Sequence, residues 1–426
     1  MSELVVPLAA AEAADATRFG PKAANLAALD HAGLPTPGGV CLDAQAYRIQ
    51  LAHLGLEEKA RLVASSELTA ARQHALEIKL GLLEKPVAPA VLEAILPAWR
   101  EIMQPGVLGV VRSSALVEDR AASSFAGQFE SYLGLETEAD FLTAVRACWT
   151  ALWSTRALRY MATHALDPAE TAMGVIVQPL VAAHASGGGL SRTAEGEMLV
   201  TATPGLGAAI AQGEVVPDRY VLSREAVLRK SEAGRTHHRV GCDHVERAAA
   251  RRAPRAGVGA RCLDGDRAVE IGRLMLEAER VVGLPVEIEW ALDDAGFKLL
   301  QARPLHVEEP HVPDELWQRH PGLQGQPAGI GWGTGRACVV NCECELSRVG
   351  PGDVLVTRVA GPALSQILPR VSAVVAELGG STSHLASLAR ERRIPMVLGV
   401  LDATQRIPDG VQVAVDGVAG VVRWVR

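Results

Sequence analysis

The sequence predicts a mixed α/β and α+β chain with two structured domains. Over residues 1–305, short apolar runs typical of buried strands alternate with amphipathic helical segments. Residues 306–327 are rich in Pro, Gly and charge, and they have little periodicity. A strand-rich segment with one clear helix follows over 328–426. We therefore predict a domain at 1–305, a linker at 306–327 and a smaller domain at 328–426, with a linker long enough to let the domains move.

The composition limits the class of protein. The chain has 426 residues, of which 48% are hydrophobic and 21% charged, as in a globular, soluble protein. The net charge is −7 and there is no long basic run, so we expect no nucleic-acid partner. No apolar run reaches the roughly 20 residues of a membrane span, and the N-terminus lacks a basic leader, so we expect no membrane and a cytoplasmic location. The seven cysteines are odd in number and lack a disulfide-framework spacing, so we expect them to be reduced.

The elements of the first domain follow from local patterns. Helical periodicity is strongest where apolar side chains recur at three and four residues, and strands are short apolar runs. The predicted helices are 21–33, 139–164 and 267–282; the predicted strands are 174–181, 198–202, 286–292 and 298–304, the last two around the turn DDAG. Gly33 and Gly283 end the first and last of these helices.

The second domain is predicted to be mostly strand. The strands are GDVLVT, VSAVVAE, PMVLGV, VQVAV and VVRWV, and one helix covers about 384–393. Since the apolar runs are short and closely spaced, this segment reads as a compact unit with its own core.

Two clusters raise the question of a metal site. They are HHRVGCDH at 237–244 and CVVNCEC at 338–344. Neither has the paired spacing of a structural zinc site. In the second, Cys338, Cys342 and Cys344 share a face at strand period, as small core residues often do. The sequence does not decide the role of either cluster.

His384 is the first candidate for chemistry. It follows a glycine pair and three hydroxyl residues, at the start of a predicted helix. The glycines allow a sharp turn, and one of the residues 381–383 can cap the helix. A helix N-terminus keeps an imidazole neutral and nucleophilic, and it stabilises an attached phosphoryl group. The alternative is an inert histidine that is merely hydrogen-bonded beside a cap.

Basic residues of the first domain suggest a phosphate site. Lys22 follows Gly20 at the head of a helix, where an ammonium group can meet phosphate. Arg112 precedes a loop that contains Gly127 flanked by small residues, and such a loop can approach phosphates through its backbone N–H groups. Taken alone, Lys22 is explained more simply as a solvated helix residue.

The last two predicted strands of the first domain suggest a metal site. Glu287 and Glu289 lie on one strand face, and Gln301 and Arg303 lie on the next strand. Two carboxylates and an amide oxygen can hold Mg²⁺, while Arg303 neutralises phosphate oxygens. An ordinary cross-strand ion pair between Glu289 and Arg303 is the alternative.

Both halves of the chain resemble the phosphoenolpyruvate-utilising enzymes. GGSTSHLASLARERRIPMVLG resembles their phosphohistidine signature, within a similarity that covers 328–426. FGPKAANLAALDHAGLPTPGG and VRSSALVEDRAASSFAGQFES resemble segments of their ATP-grasp-like domain, along most of 15–305. SGGGLSRTAEGE departs from the family's usual S-G-V-x-F-T pattern. The resemblance implies an ATP-grasp-like domain followed by a swivelling β/β/α phosphohistidine domain.

The resemblance also implies roles for individual residues. His384 takes the place of the phosphorylated histidine and Thr382 that of its supporting hydroxyl, and Arg112 and Arg303 join them in catalysis. The residues that would contact ATP or its metal are Lys22, Arg112, Gly127, Ser131, Gln178, Glu289, Gln301 and Arg303. The adenine-side strand would be Gln178, Pro179, Leu180 and Val181.

The implied function is that of a dikinase-type phosphotransferase. ATP and Mg²⁺ would phosphorylate His384 by attack at the β-phosphorus, with release of AMP and phosphate. The acceptor is open: a small molecule, or a separate acceptor-binding subunit as in split phosphoenolpyruvate-synthase-like or phenylphosphate-synthase-like systems. No acceptor domain fits before Arg426, so conversion of pyruvate by this chain alone is not expected. The alternatives are a non-enzymatic phosphocarrier or regulatory protein, and a scaffold that has lost activity.

Overall fold

The computed structural model describes residues 3–117, 129, 131–163, 165–234, 261–307 and 315–425. Its strands are β1 Val5–Pro7, β2 Val40–Leu42, β3 Gly109–Ala115, β4 Ser131–Leu135, β5 Met173–Pro179, β6 Ala185–Leu190, β7 Met198–Pro204, β8 Asp218–Leu222, β9 Leu228–Glu232, β10 Val286–Asp293, β11 Gly296–Pro304, β12 Gly322–Gln324, β13 Gln326–Pro327, β14 Trp332–Val340, β15 Val354–Thr357, β16 Ala373–Ala376, β17 Met396–Leu398, β18 Gln412–Asp416 and β19 Val421–Trp424.

Helices accompany most of these strands. They are α1 Ala16–Phe19, α2 Pro21–His31, α3 Ala44–His53, α4 Glu57–Ser65, α5 Leu68–Glu84, α6 Pro89–Ile102, α7 Glu138–Ala151, α8 Thr155–Thr163, α9 Ala208–Ala211, α10 Gly265–Val282, α11 Glu315–Gln318, α12 His384–Glu391 and α13 Ala403–Arg406. The mixed α/β and α+β class predicted from the sequence is therefore confirmed.

The chain forms two compact units that interrupt each other along the sequence. The first contains Met1–Ala182, Arg280–Gly283 and Ala295–Pro304, and the second contains Ala183–Glu279, Leu284–Asp294 and Leu305–Arg426. The division at 1–305, 306–327 and 328–426 follows the order of the sequence rather than contact in space, and it stays a prediction.

A five-stranded sheet forms the centre of the first unit. Its strand order is β1–β2–β5–β3–β4, and helix α2 packs beside β11 and β3. Helix α2 starts immediately after Gly20, whose φ of 82° and close approach to the Ser114 carbonyl leave no room for a side chain. The Ser114 hydroxyl accepts from the Ala23 amide at 3.1 Å. This start of α2 fixes the position of Lys22.

One predicted helix of the first unit is two helices. The sequence predicts a continuous helix over 139–164, but α7 ends at Ala151 and α8 begins at Thr155. The Ser154 hydroxyl accepts from the Ala157 amide at 3.1 Å, which satisfies a donor at the start of α8 and favours a new helix there. Trp153 is buried in the turn between them.

The second unit contains two sheets. In the first, antiparallel strands lie in the order β10–β6–β7–β8–β9. Glu289 of β10 is directly opposite Gly188 of β6, and Glu287 is opposite Leu190. Residues directly opposite in an antiparallel pair point to the same face of the sheet.

The second sheet of this unit has eight strands in the order β12–β19–β18–β14–β15–β16–β17–β13. Strands β14 to β17 run parallel to one another, and α12 lies in the connection from β16 to β17. Valine side chains of these strands form a hydrophobic core that also contains Ala403 and Ile407. The last residues of the predicted linker, 322–327, carry the short strands β12 and β13, which pair with β19 and β17.

Candidate functional site

The segment 377–384, which we name the histidine loop, connects β16 to α12. Gly379 turns the chain with a φ of 100°, a conformation that favours glycine. Ser383 is the N-cap of α12, and its hydroxyl accepts from the Ala386 amide at 3.3 Å. The predicted helix start at His384 is confirmed, and the half-buried His384 is the first helical residue.

Arg390, which the sequence analysis did not single out, braces the histidine loop from within its own helix. Its guanidinium donates to the Ser381 carbonyl at 2.6 Å and to the Ala328 carbonyl at 3.3 Å. The Ser381 hydroxyl donates to the Pro327 carbonyl. Since a guanidinium offers five donors in a fixed plane, one side chain can join the histidine loop to the segment that follows β13.

Thr382 lies against the sheet that carries β6 and β7. Its hydroxyl oxygen is 2.7 Å from that of Thr201 on β7. A Cβ atom added at Gly188 on β6 would lie 2.7 Å from the Thr382 Cβ, so the absent side chain makes the space for Thr382. The departure from the family pattern at 186–191 thus coincides with the contact that receives the histidine loop.

Glu287 contacts helix α12. The Ser387 hydroxyl lies 2.7 and 2.9 Å from its two carboxylate oxygens, and the Arg390 guanidinium donates to it at 2.8 Å. The arginine and glutamate side chains of this ion pair are only 8% and 7% exposed. The sequence predicts Glu287 as a metal ligand and misses these partners, whose local signal is the spacing of Ser387 and Arg390 on one helix face.

In the first unit, Lys22 and Arg112 are buried cations. They are 7% and 8% exposed, so the alternative of a solvated Lys22 is wrong. Arg112 donates to the Leu300 carbonyl, and to the Gln301 side-chain oxygen at 3.1 Å. This brings Arg112 and Gln301 together as two predicted ATP contacts, and Arg303 on the same strand as Gln301 is also buried.

The predicted adenine-side strand, 178–181, overlaps the end of β5 only at Gln178 and Pro179. Gln178 is buried, and its amide donates to the Gly38 carbonyl at 2.6 Å. Pro179, Leu180 and Val181 are half-buried, and the Leu180 amide donates to the Leu108 carbonyl at 2.7 Å. Two predicted ATP contacts remain. Ser131 is exposed on β4 opposite Arg112, and Gly127 lies outside the described residues.

The two histidine and cysteine clusters give no metal centre in the part of the chain that is described. Residues 237–244 lie outside it. Cys338 is buried in β14, but Cys342 and Cys344 are not in the strand and form a disulfide with each other. The expectation of reduced cysteines is corrected for this pair only, since the four other described cysteines are free thiols. The expectation of a shared strand face is corrected because the chain turns after Val340.

The carboxylates fit a magnesium ion that is held partly by nucleotide. Within the described ranges, no group of three or more His, Cys, Asp or Glu side chains can hold a metal ion by itself. Mg²⁺ is usually bound by one or two carboxylates together with substrate phosphates, so such a self-sufficient cluster is not required. Glu289, one of the predicted ligands, is half-buried on β10. None of the described helices is both long and apolar enough to cross a membrane.

The fold and the site together define a class: a nucleotide-binding module joined to a module that presents a histidine on a βα turn. Residues 16–319 match the pyruvate phosphate dikinase AMP/ATP-binding domain, and residues 349–420 match the mobile domain of phosphoenolpyruvate-utilising enzymes. The chain belongs to the pyruvate phosphate dikinase and phosphoenolpyruvate synthase family.

Curated relatives agree over nearly the whole chain. A probable phosphoenolpyruvate synthase of Pyrococcus horikoshii is 30% identical over 96% of this chain and 56% of its own length. Phosphoenolpyruvate synthase of Aeropyrum pernix is 31% identical over 95% of this chain and 56% of its own length. The Escherichia coli phosphoenolpyruvate synthase is 28% identical over 96% and 56%. The chain thus spans a little over half the length of the relatives it matches.

Proposed function

We propose that the protein is a dikinase-type phosphotransferase that phosphorylates its own His384 from ATP. The observation that carries the proposal is the placement of His384 at the N-terminus of α12, on a braced loop after a parallel strand. Free N–H groups and the helix dipole there stabilise a dianionic phosphoryl group. The matched AMP/ATP-binding domain supplies the phosphoryl donor.

The proposed chemistry balances as two displacements. A ring nitrogen of His384 bonds to the β-phosphorus of ATP, and the bond from that phosphorus to the bridging oxygen of AMP breaks. Water then cleaves the β–γ bridge, which leaves one phosphoryl group on His384 and releases inorganic phosphate. Lys22, Arg112 and Arg303 would neutralise phosphate charge, because buried cations act in a poorly screened environment.

Magnesium is the expected metal, with Glu289 and Gln301 as proposed ligands. Glu287, which the sequence also predicts as a ligand, is paired with Arg390 and Ser387. When bound, Mg²⁺ would supply positive charge that reduces the repulsion between the phosphates and an approaching nucleophile. The phosphoryl group then passes to an acceptor, which is either a small molecule or a separate acceptor-binding subunit. We retain the non-enzymatic phosphocarrier as the second candidate, since the histidine module, residues 328–426, is the part of the site that the described contacts define best.

The test is to incubate the full chain with Mg²⁺ and ATP labelled at the β- or γ-phosphate. We expect acid-labile label from the β-position only, with equal release of AMP, and no label when Mg²⁺ is omitted. His384→Ala should abolish labelling, whereas His184→Ala should not, because His184 is an exposed residue paired with Asp294. Label from the γ-position alone would instead indicate an ordinary kinase.

The same assay separates the acceptors. Loss of label from His384 only after a second polypeptide is added supports the subunit arrangement. Loss of label on adding a small molecule, with the phosphorylated product detected, supports direct transfer. Stable label without any turnover of AMP beyond one equivalent would favour the phosphocarrier.

A further inference from the structure

We propose that Glu287, Ser387 and Arg390 form a docking latch that places His384 beside Glu289 for phosphorylation. The inference rests on the proposed function and assigns Glu287 to positioning the histidine, instead of to binding the metal. The latch joins β10 to α12 of the histidine module. Strand β10 belongs to the nucleotide-binding part of the second unit, which comprises residues 183–279 and 284–294. These residues are about 100 positions apart in the chain, so the contact exists only when the two surfaces meet.

The chemistry of the latch suits a contact that forms and breaks. Arg390 and Glu287 are almost fully buried while they are paired, and Ser387 donates to the same carboxylate. Removing one partner of a buried pair leaves an uncompensated charge, which is strongly unfavourable. When the whole surface separates, water solvates both groups at once, so the separated state carries no such penalty. The latch therefore disfavours partial or misplaced docking more than it disfavours release.

A second contact fixes the other end of α12. Thr382 occupies the space above Gly188 and meets the Thr201 hydroxyl, and the Gly379 amide donates to the Val215 carbonyl at 3.2 Å. Two separate contacts, one at each end of a rigid helix, define both the position and the rotation of the histidine module. Six residues separate His384 from Arg390, which corresponds to about 9 Å along an α-helix.

The register of the sheet explains why this docking serves phosphorylation. Glu287 and Glu289 point to the same face of β10, since side chains alternate along a strand. Glu289 is directly opposite Gly188, against which Thr382 packs. His384 follows Thr382 by two residues, so docking brings the imidazole to the strand face that carries the proposed metal ligand.

Arg390 links docking to the shape of the loop. The same guanidinium that pairs with Glu287 also donates to the Ser381 carbonyl at 2.6 Å. Because Arg390 is held to the histidine loop, its pairing with Glu287 also holds the residue just before Thr382 in place against the sheet. This predicts that latch variants reduce the rate of histidine phosphorylation more than they reduce nucleotide binding.

The test combines cross-linking with kinetics on the full chain. Thr201→Cys and Thr382→Cys are introduced together as a reporter of docking, and the cross-linked peptide is quantified by mass spectrometry after mild oxidation. Glu287→Gln, Ser387→Ala and Arg390→Lys are compared in this background. In separate proteins with natural Thr201 and Thr382, the same substitutions are assayed for kcat and KM of labelling from β-labelled ATP. Glu279→Gln is the matched control, because the ion-pair partner of Glu279 is Arg224, which is not a residue of the histidine module.

We expect Glu287→Gln to lower the cross-linking rate about tenfold or more and to lower kcat in parallel, with KM for ATP within about twofold. Ser387→Ala should give a smaller loss of both, and Glu279→Gln should give none. Melting curves that match the parent protein show that the variants fold. If Glu287→Gln does not fold, Ser387→Ala provides the test in its place. Unchanged cross-linking in the latch variants would overturn the proposal.

Two further outcomes separate the latch from the function. Reduced labelling with unchanged cross-linking and a raised KM would assign Glu287 to nucleotide or metal binding, against the latch. If the latch variants lose the cross-link but the parent protein is never labelled, the result would support the latch and refute the proposed phosphorylation.

Discussion

The hydroxyl oxygens of Thr382 and Thr201 lie 2.7 Å apart, on the histidine loop and on β7 respectively. One of the two hydroxyls donates to the other, so the contact depends on both side chains. It lies beside Gly188, where the sheet has no side chain to obstruct the loop. The nucleotide-binding part of the second unit therefore has a small binding site for the Thr382 side chain.

Thr201→Val should slow phosphorylation of His384. The valine keeps the shape but cannot accept or donate, and a neutral hydrogen bond contributes about 0.5–1.5 kcal/mol, so we expect roughly a three- to tenfold lower rate. Single-turnover labelling with excess ATP measures it. Thr203→Val, on the same strand, is the control and should leave the rate within about twofold. Equal rates in both variants would contradict a role for the Thr201 hydroxyl.

Gly188→Val should have a larger effect than Thr201→Val. The first carbon of the new side chain would lie 2.7 Å from the Thr382 Cβ, so the histidine loop or the strand must shift. Overpacking of this kind costs about 1–3 kcal/mol, which we expect to appear as roughly a ten- to hundredfold lower labelling rate. Gly265→Ala is the control, because its added carbon meets only ordinary contact with Leu228 at 3.7 Å. A Gly188→Val protein that is labelled at the parental rate would show that the loop docks elsewhere.

Arg112→Lys should weaken ATP binding. Lysine keeps the charge but not the planar fork, so it cannot donate at once to the Leu300 carbonyl and the Gln301 side chain. We expect KM for ATP to rise about tenfold, since the lost hydrogen bonds involve a charged group worth about 1.5–3 kcal/mol. Arg18→Lys, in the Arg18–Asp43 ion pair of the same unit, tests for a general loss of packing. A KM equal to that of the parent would remove Arg112 from the proposed phosphate site.

Cys41 and Cys262 should resist alkylation at pH 8. Burial raises the pKa of both thiols to about 12, and hydrogen bonding and charge from Asp218 add to the effect at Cys262. Because a raised pKa keeps the reactive thiolate scarce, we expect iodoacetamide to modify them about a thousandfold more slowly than a thiol with an ordinary pKa near 8.5. Raising the pH should accelerate the reaction up to about pH 12. Peptide mass spectrometry measures each site, and rapid modification at pH 8 would refute the shift.

Some of this structure follows from local sequence, and the histidine loop is the best example. The signals around His384 are all short-range: a glycine pair, a capping serine and a helical period. Each favours its backbone conformation locally, without contacts from distant parts of the chain. The strands on either side are short apolar runs that can be recognised without knowing their partners. The helix break at Ser154 was missed, because a single capping hydroxyl within a helical period is a weak signal.

The docking latch could not be predicted in this way. Glu287 and Glu289 lie two residues apart on the same face of one strand, and that local pattern resembles a pair of metal ligands. Its partners are Ser387 and Arg390, about 100 residues later, and no local feature of either segment indicates the other. The same holds for β12 and β13, which are two or three residues long and become strands only through pairing with β19 and β17. The partners of Glu287 and the strand conformation of β12 and β13 therefore depend on long-range pairing, which local sequence patterns do not specify.

The bracing of the histidine loop by Arg390 has a consequence for whatever receives the phosphoryl group. Two of its hydrogen bonds, to the Ser381 and Ala328 carbonyls, lie within the histidine module and do not depend on the latch. The module can therefore keep one loop geometry at donor and recipient alike. Recognition then falls to the recipient, which must be shaped around a preformed turn, and unrelated recipients need only share that one complementary surface.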